Sequence, residues 1–297
     1  MLRPSILLPF LAVTLIWGCT WIVIRDQLAV VPPSWSVAYR FLTASVTMFV
    51  VTLVTRAPIW LGARGFGFAA LFGCAQFVFN FNFVYRAEQH ITSGLVALVF
   101  ALLFVPNALF ARIFLGQRVS GRFLFGSVLG IVGIVLLFVN EARGDGADIT
   151  ATLTGIALTL GGVISASISN VMQATKTARA LPMASVLAWG MLIGALLDAA
   201  YAWATVGAPV IETRLTYLFG VAYLGVIGSA LAFTLYFGLI RRIGPARAAY
   251  TSVIVPVVAM LISTLAEGYI WTWLAASGAA LAMVGMLIAL SAPKPSA

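Results

Sequence analysis

The chain has 297 residues, 62% of them hydrophobic and only 8% charged, with 17 Lys and Arg against 8 Asp and Glu for a net charge of +9. Soluble domains carry roughly a quarter charged residues, so this surface cannot be mainly wet, and no stretch reads as a soluble catalytic domain. The excess positive charge sits at the ends of apolar runs and forms no single patch, which excludes a nucleic-acid partner.

Breaking the chain at charges, prolines and glycines predicts ten apolar spans: 5–24, 34–55, 65–85, 92–115, 121–140, 152–175, 183–206, 215–238, 245–266 and 270–291. Each is close to the length needed to cross a bilayer. The first follows Arg3 without an obvious small-residue cleavage site, so it is read as a retained helix and not as a signal peptide. Helix one carries Trp17 and Trp21 on one face, and helix two carries Arg40. Helix three sets Gln76, Asn80 and Asn82 among Phe77, Phe79, Phe81 and Phe83. Pro106 interrupts helix four, and Gly126, Gly130 and Gly133 form a ladder in helix five. Helix six offers Ser165, Ser169, Asn170 and Gln173; helix seven, Asp198; helix eight, Tyr223, Ser229, Phe233, Thr234 and Tyr236. Pro256 lies in helix nine, Gly278 and Gly285 in helix ten. Cys19 and Cys74 fall inside apolar runs, where small thiols pack, so neither a disulfide nor a metal site is expected.

The cations order the topology. Arg3, Arg56, Arg64, Arg112, Arg118, Arg122, Lys176, Arg179, Arg241, Arg242, Arg247 and Lys294 fall on the side of the N-terminus. Arg25, Arg86, Arg143 and Arg214 fall opposite, with Arg40 inside a span. The excess of Lys and Arg marks the cytoplasmic face, which places both termini there. Asp26, Glu88, Glu141, Asp145, Asp148, Glu212 and Glu267 all fall at the outer ends.

The halves read as copies, 1–145 and 146–297. Gly126, Leu129 and Gly133 repeat the spacing of Gly278, Leu281 and Gly285. Gly94 stands to Pro106 as Gly244 does to Pro256, Gln117 follows its proline as Glu267 does, and Pro33 matches Pro182. Five spans per copy is odd, so the second copy must enter the membrane inverted, an arrangement typical of secondary transporters. The fold class is therefore an all-α polytopic membrane protein, ten transmembrane helices in two inverted five-helix repeats.

On these residues the chain resembles the drug/metabolite transporter superfamily in its ten-helix EamA form. Ile16-Trp17-Gly18, Arg40, Pro106, Pro256, Gln117, Glu267 and the glycines of helices five and ten carry the resemblance, with Gln117 standing where the family often has Glu. It implies a small-molecule exporter of the inner membrane. Within the family the chain looks most like bacterial amino acid exporters, including the YddG type for aromatic amino acids.

Polar groups at mid-bilayer are costly and mark candidate sites. Trp17, Trp21, Gln76, Asn80, Asn82, Ser165, Ser169, Tyr223 and Phe233 are the candidate substrate-binding set. Amides there hydrogen-bond an ammonium or carboxylate while the rings meet an apolar side chain. The competing reading is structural: the amides join helices, the serines allow close packing, the tryptophans pack against neighbours, and Tyr236 anchors at the interface. Pro106 and Pro256 are candidate hinges, or static kinks. Arg40 and Asp198 are a candidate ion pair. No Asp or Glu lies at a predicted midpoint, so a net-neutral, partly apolar substrate moving down its gradient is expected ahead of strict proton antiport. An enzyme is not expected, because neither a Ser–His pair, nor facing aspartates, nor a zinc cluster is present, and no cofactor is implied. A channel built from rings of subunits fits a monomeric inverted repeat less well than a carrier does. The glycine ladders imply tight packing of helices five and ten, within one chain or across a dimer seam.

Overall fold

A computed structural model describes residues 4–142, 148–243, 245–248 and 251–291. Arg3, Arg143, Asp145 and Lys294, used in the topology argument, and Gly244, used in the repeat argument, lie outside them. The described residues are all-helical, as the pattern of apolar spans requires, and are compatible with a polytopic membrane protein of about ten helices. The long units are α1 (Pro4–Gln27), α2 (Pro33–Val54), α3 (Gly62–Ala87), α4 (Ser93–Leu115) and α5 (Gly121–Ala142). They continue with α6 (Ile149–Ala174), α7 (Met183–Val206), α8 (Leu215–Ile243), α9 (Thr251–Ala266) and α10 (Trp273–Leu290). Seven are long and apolar enough to cross a membrane; the apolar stretches 121–137, 255–266 and 273–289 are shorter.

Local chemistry sets the ends. Pro33 occupies the start of α2, where its missing N–H costs nothing. Asp148 and Thr272 cap α6 and α10 by accepting the amides of Ala151 and Ala275. At the end of α4, Gly116 adopts φ +67°, the left-handed region that stops a helix cleanly.

Two helices leave α geometry midway. Residues Cys74–Phe79 of α3 and Tyr223–Leu231 of α8 form π-helical turns at corresponding places in the two halves. In α4 a 3-10 turn, Ala101–Leu103, stands just before Pro106, whereas α9 carries Pro256 within continuous helix. The sequence pattern held no sign of these departures, since hydrophobic period alone does not report how a single turn closes.

The packing exchanges under replacement of each helix by the one five places on. Helices α5 and α10 pack together, as do α2 and α7, and α4 and α9. Likewise α1 packs on α9 as α6 packs on α4, α3 on α6 as α8 on α1, and α3 on α7 as α8 on α2. The α5–α10 seam is a backbone contact: a Cβ on Gly133 would lie 2.3 Å from the amide nitrogen of Ala282, and one on Gly285 would lie 2.3 Å from that of Gly130. The glycine ladders therefore serve packing within one chain.

The helix ends segregate into two sets. At one end Arg25 donates to the Glu88 carbonyl and lies 3.8 Å from Glu267, while Arg214 pairs with Asp26 and Glu212. At the other, Arg241 meets Leu181 and Gln173, and Arg242 meets the Ser5 carbonyl. These are the two faces that the cation count separated.

Candidate functional site

Between the helix sets lies a cavity of about 90 Å³, several times the roughly 10–15 Å³ that one water requires. Trp17 and Trp21 of α1, Arg40 of α2, Gln76 and Asn80 of α3, and Phe100 of α4 form one side. Asn170 of α6, Phe233 and Tyr236 of α8, and Val255 and Pro256 of α9 form the other. Both halves thus contribute. Among the described lining residues Arg40 alone carries a charge.

The aromatic wall is a connected set. Trp17 meets Phe233 and Tyr236 edge-on at 5.4 and 4.8 Å, and its Nε1 donates to the Gly228 carbonyl at 3.2 Å. Phe233 touches Phe77 and Phe81 in turn, while Trp21 leans on Phe100 at 5.7 Å. Such edge contacts hold rings in place without filling the space between them. Amides complete the lining. Gln76 sits within the π-helical turn of α3, where its Oε1 accepts from Ser169 of α6. Asn170 donates to Asn107 across α6 and α4 at 3.4 Å. Trp21 Nε1 and Asn80 Oδ1, buried polar atoms of lining residues, have no hydrogen-bond partner among the described residues. Buried polar atoms are nearly always paired, so unpaired ones beside a cavity are suited to a guest.

The structure brings Trp17, Trp21, Gln76, Asn80 and Phe233 together around this space, with Pro256. It takes four other candidates elsewhere. Asn82 accepts from Ser34 at 3.0 Å and donates to Asp198 at 2.7 Å, joining α2, α3 and α7. Ser169 braces Gln76 from behind, Ser165 is half-buried on α6 away from the cavity, and Tyr223 bonds the Ile16 carbonyl. Pro106 is half-buried outside the lining.

The ion pair expected between Arg40 and Asp198 does not form. Arg40 turns into the bundle, donating to Ser229 Oγ at 2.9 Å beneath Phe81, whereas Asp198 faces Asn82. Tyr236, weighed as an interfacial anchor, is 2% exposed and lines the cavity. Thr251, Val255 and, from α4, Ala97, Phe100, Ala101 and Leu103 also line it, and no sequence signal singled them out. Apolar and small residues look alike in core and in cavity wall.

Among the described residues no cluster of His, Cys, Asp and Glu fit for a metal ion occurs. Arg40 aside, the described wall is made of rings, aliphatic side chains, threonines and neutral amides, which bind by contact and hydrogen bond.

Apolar helices in two interleaved sets of five around such a pocket define a polytopic membrane protein of the transporter class. The chain belongs to the EamA-like transporter family, whose pattern it matches over residues 4–139 and again over 153–291. It is similar to the "Uncharacterized inner membrane transporter YedA" of Escherichia coli (strain K12), 30% identical over 261 residues, 85% of this chain and 80% of that one. It is also similar to a "Probable amino-acid metabolite efflux pump" of Salmonella typhimurium, 28% identical over 287 residues, covering 94% and 92%. A solved crystal structure shares the fold at a TM-score of 0.70 and 21% identity, covering 97% of this chain and 96% of that one.

Proposed function

We propose that this protein is an inner-membrane carrier that exports small organic metabolites, neutral or aromatic amino acids foremost, by alternating access. The observation that carries the reading is the position of the cavity, bounded by α1–α4 of one half and α6, α8 and α9 of the other. A pocket at the seam of two exchangeable halves opens to either side when one half rocks on the other. Both termini are cytoplasmic in this reading, 1–145 and 146–297 form the two inverted repeats, and the working unit is a monomer in lipid. The names of similar proteins support an amino acid cargo.

Trp17, Trp21, Gln76, Asn80 and Phe233 contact the substrate, with Ser169 positioning Gln76. Pro106 and Pro256 act as bending points, since each removes a backbone hydrogen bond that would stiffen its helix. No acid is among the described lining residues, which favours facilitated movement down a gradient over strict proton exchange. The test is counterflow in proteoliposomes loaded with unlabelled phenylalanine. Accelerated entry of labelled phenylalanine, unaffected by collapsing the proton gradient, is the expected result. Linear, non-saturable flux without trans-stimulation would identify a channel instead.

A further inference from the structure

The cavity contains a charge that nothing in its wall balances. Arg40 is 1% exposed and lies within a membrane-crossing helix, where an ionised side chain is costly and normally faces a partner. Its Nε donates to Ser229 at 2.9 Å, and Nη1 reaches the Tyr85 hydroxyl at 3.5 Å, which itself donates to Gln27 at 3.0 Å. A guanidinium has five N–H donors, and Nη2 makes no hydrogen bond among the described residues. The neighbouring Gly228 brings no side chain against it; a Cβ there would stand 3.7 Å from Nη2, in ordinary contact. The Phe81 ring centroid, 4.4 Å from the guanidinium carbon, attracts the cation face-on but satisfies no in-plane donor.

Among the described residues no carboxylate pairs with it. The ion pairs among the described residues join Arg25 to Glu267 and Arg214 to Asp26 and Glu212. The acid whose field does reach Arg40 is Glu88, in the loop after α3. It is fully buried, its carboxyl oxygens have no hydrogen-bond partner, and burial together with Glu267 pushes its carboxyl well up toward the neutral form.

We propose that Arg40 is the anchor for a carboxylate carried by the substrate, so that the cavity takes organic acids and zwitterions and rejects cations. A planar guanidinium with open donors matches a carboxylate edge to edge, which a lone ammonium would not do. Trp21 Nε1 supplies a further N–H for the same group, and Asn80 Oδ1 supplies an acceptor for the ammonium of a zwitterion. Phe81, Phe100 and Phe233 receive the apolar remainder. The assignment deepens the carrier reading and rests on it. Arg40 thereby becomes the residue that separates amino acids from the lipophilic amines that acid-lined pumps accept.

The test compares three probes of nearly one shape on the purified full-length protein: 3-phenylpropionate, 3-phenylpropionamide and 3-phenylpropylamine. Ligand-dependent thermal stabilisation reads binding, and competition against phenylalanine counterflow reads transport. The acid should bind at least about tenfold more tightly than the amide, the loss expected when charge-assisted hydrogen bonds become neutral ones. The amine should not bind. Arg40→Gln should erase the preference and Arg40→Lys should retain part of it. The wild-type comparison stands even where a variant fails to fold. Amide or amine binding as tightly as the acid overturns the assignment, as does binding by none of the three, or an Arg40→Gln protein that keeps the preference. Phenylalanine counterflow without acid selectivity sinks Arg40 alone. Acid-selective binding without phenylalanine movement sinks the amino acid reading and leaves Arg40 standing.

Discussion

The α5–α10 seam and the central cavity are built from opposite materials. At the seam, glycines let two backbones touch, so that Gly126 and Gly133 of one helix fit against Gly285 and Gly278 of the other with no room for a methyl group. In the cavity the helices stand apart, π-helical turns in α3 and α8 set Gln76 and Ser229 in place, and side chains keep unpaired polar atoms. One region is closed by backbone contact. The other leaves contacts open, which a solid core would never tolerate and a binding site needs. Substitutions at the seam should therefore appear in stability, and substitutions in the cavity should appear in transport.

The largest effect belongs to the seam. Gly133→Leu places a side chain where the Ala282 amide already lies, and no folded protein should be recovered by size-exclusion chromatography after detergent extraction. Even Gly133→Ala should lower the melting temperature, with a stability loss of about 1–3 kcal/mol typical of overpacking. Gly238 is the control, because a Cβ there meets nothing within 4 Å; Gly238→Ala should be neutral or stabilise by up to about 1 kcal/mol. Equal losses at both positions would abolish the distinction. Next comes the cavity. Gln76→Leu removes the acceptor for Ser169, whose hydroxyl keeps the Ala166 carbonyl at 2.9 Å, so melting should hold while counterflow drops by about tenfold, the cost of one lost polar contact to substrate. A smaller effect is expected from Pro256→Ala. Restoring an amide mid-helix should raise the melting temperature and slow turnover with apparent affinity unchanged; faster turnover would remove the hinge role.

Much of this contrast was legible in the sequence, and what escaped has a physical reason. Spans declared themselves because a bilayer demands long apolar runs, and the glycine ladders declared the seam because only glycine permits such an approach. Trp17, Trp21, Gln76, Asn80 and Phe233 stood out as polar or bulky groups at depth, and all line the cavity. Asn82 stood out for the same reason yet works between α2, α3 and α7, since depth alone does not say which way a residue faces. Arg40 was conspicuous, but its nearest opposite charge by depth, Asp198, proved to belong to another helix face. The π-helical turns left no trace, because one widened turn changes direction without changing composition. Equivalent positions also diverge: Glu267 accepts from Ser93 and Ser263 at 2.6 Å each, while Gln117, its counterpart by repeat, is exposed. Spacing matched them, and environment separated them.

The smallest effect lies at the rim, in the loop after α3, and it is a pH dependence. Glu88 is buried without a hydrogen-bond partner for either carboxyl oxygen. Burial raises its proton affinity most, Glu267 raises it further, and Arg25 and Arg40 oppose this without reversing it. Below its ordinary value of 4.5 both folded and unfolded chains hold the proton, and the site has no pH dependence. Above that value the unfolded chain releases the proton while the folded one retains it, so stability falls as pH rises, until the buried group itself ionises. The slope is therefore negative above 4.5, opposite in sign to that of a salt-bridged carboxylate. Glu88→Gln removes the titration but keeps the shape. Its melting temperature should stay flatter than wild type from about pH 4 to pH 8, with the gap widening toward the alkaline end. Parallel profiles would mean that the Glu88 carboxyl titrates alike in the folded and unfolded chains, and burial at the rim would then cost it nothing.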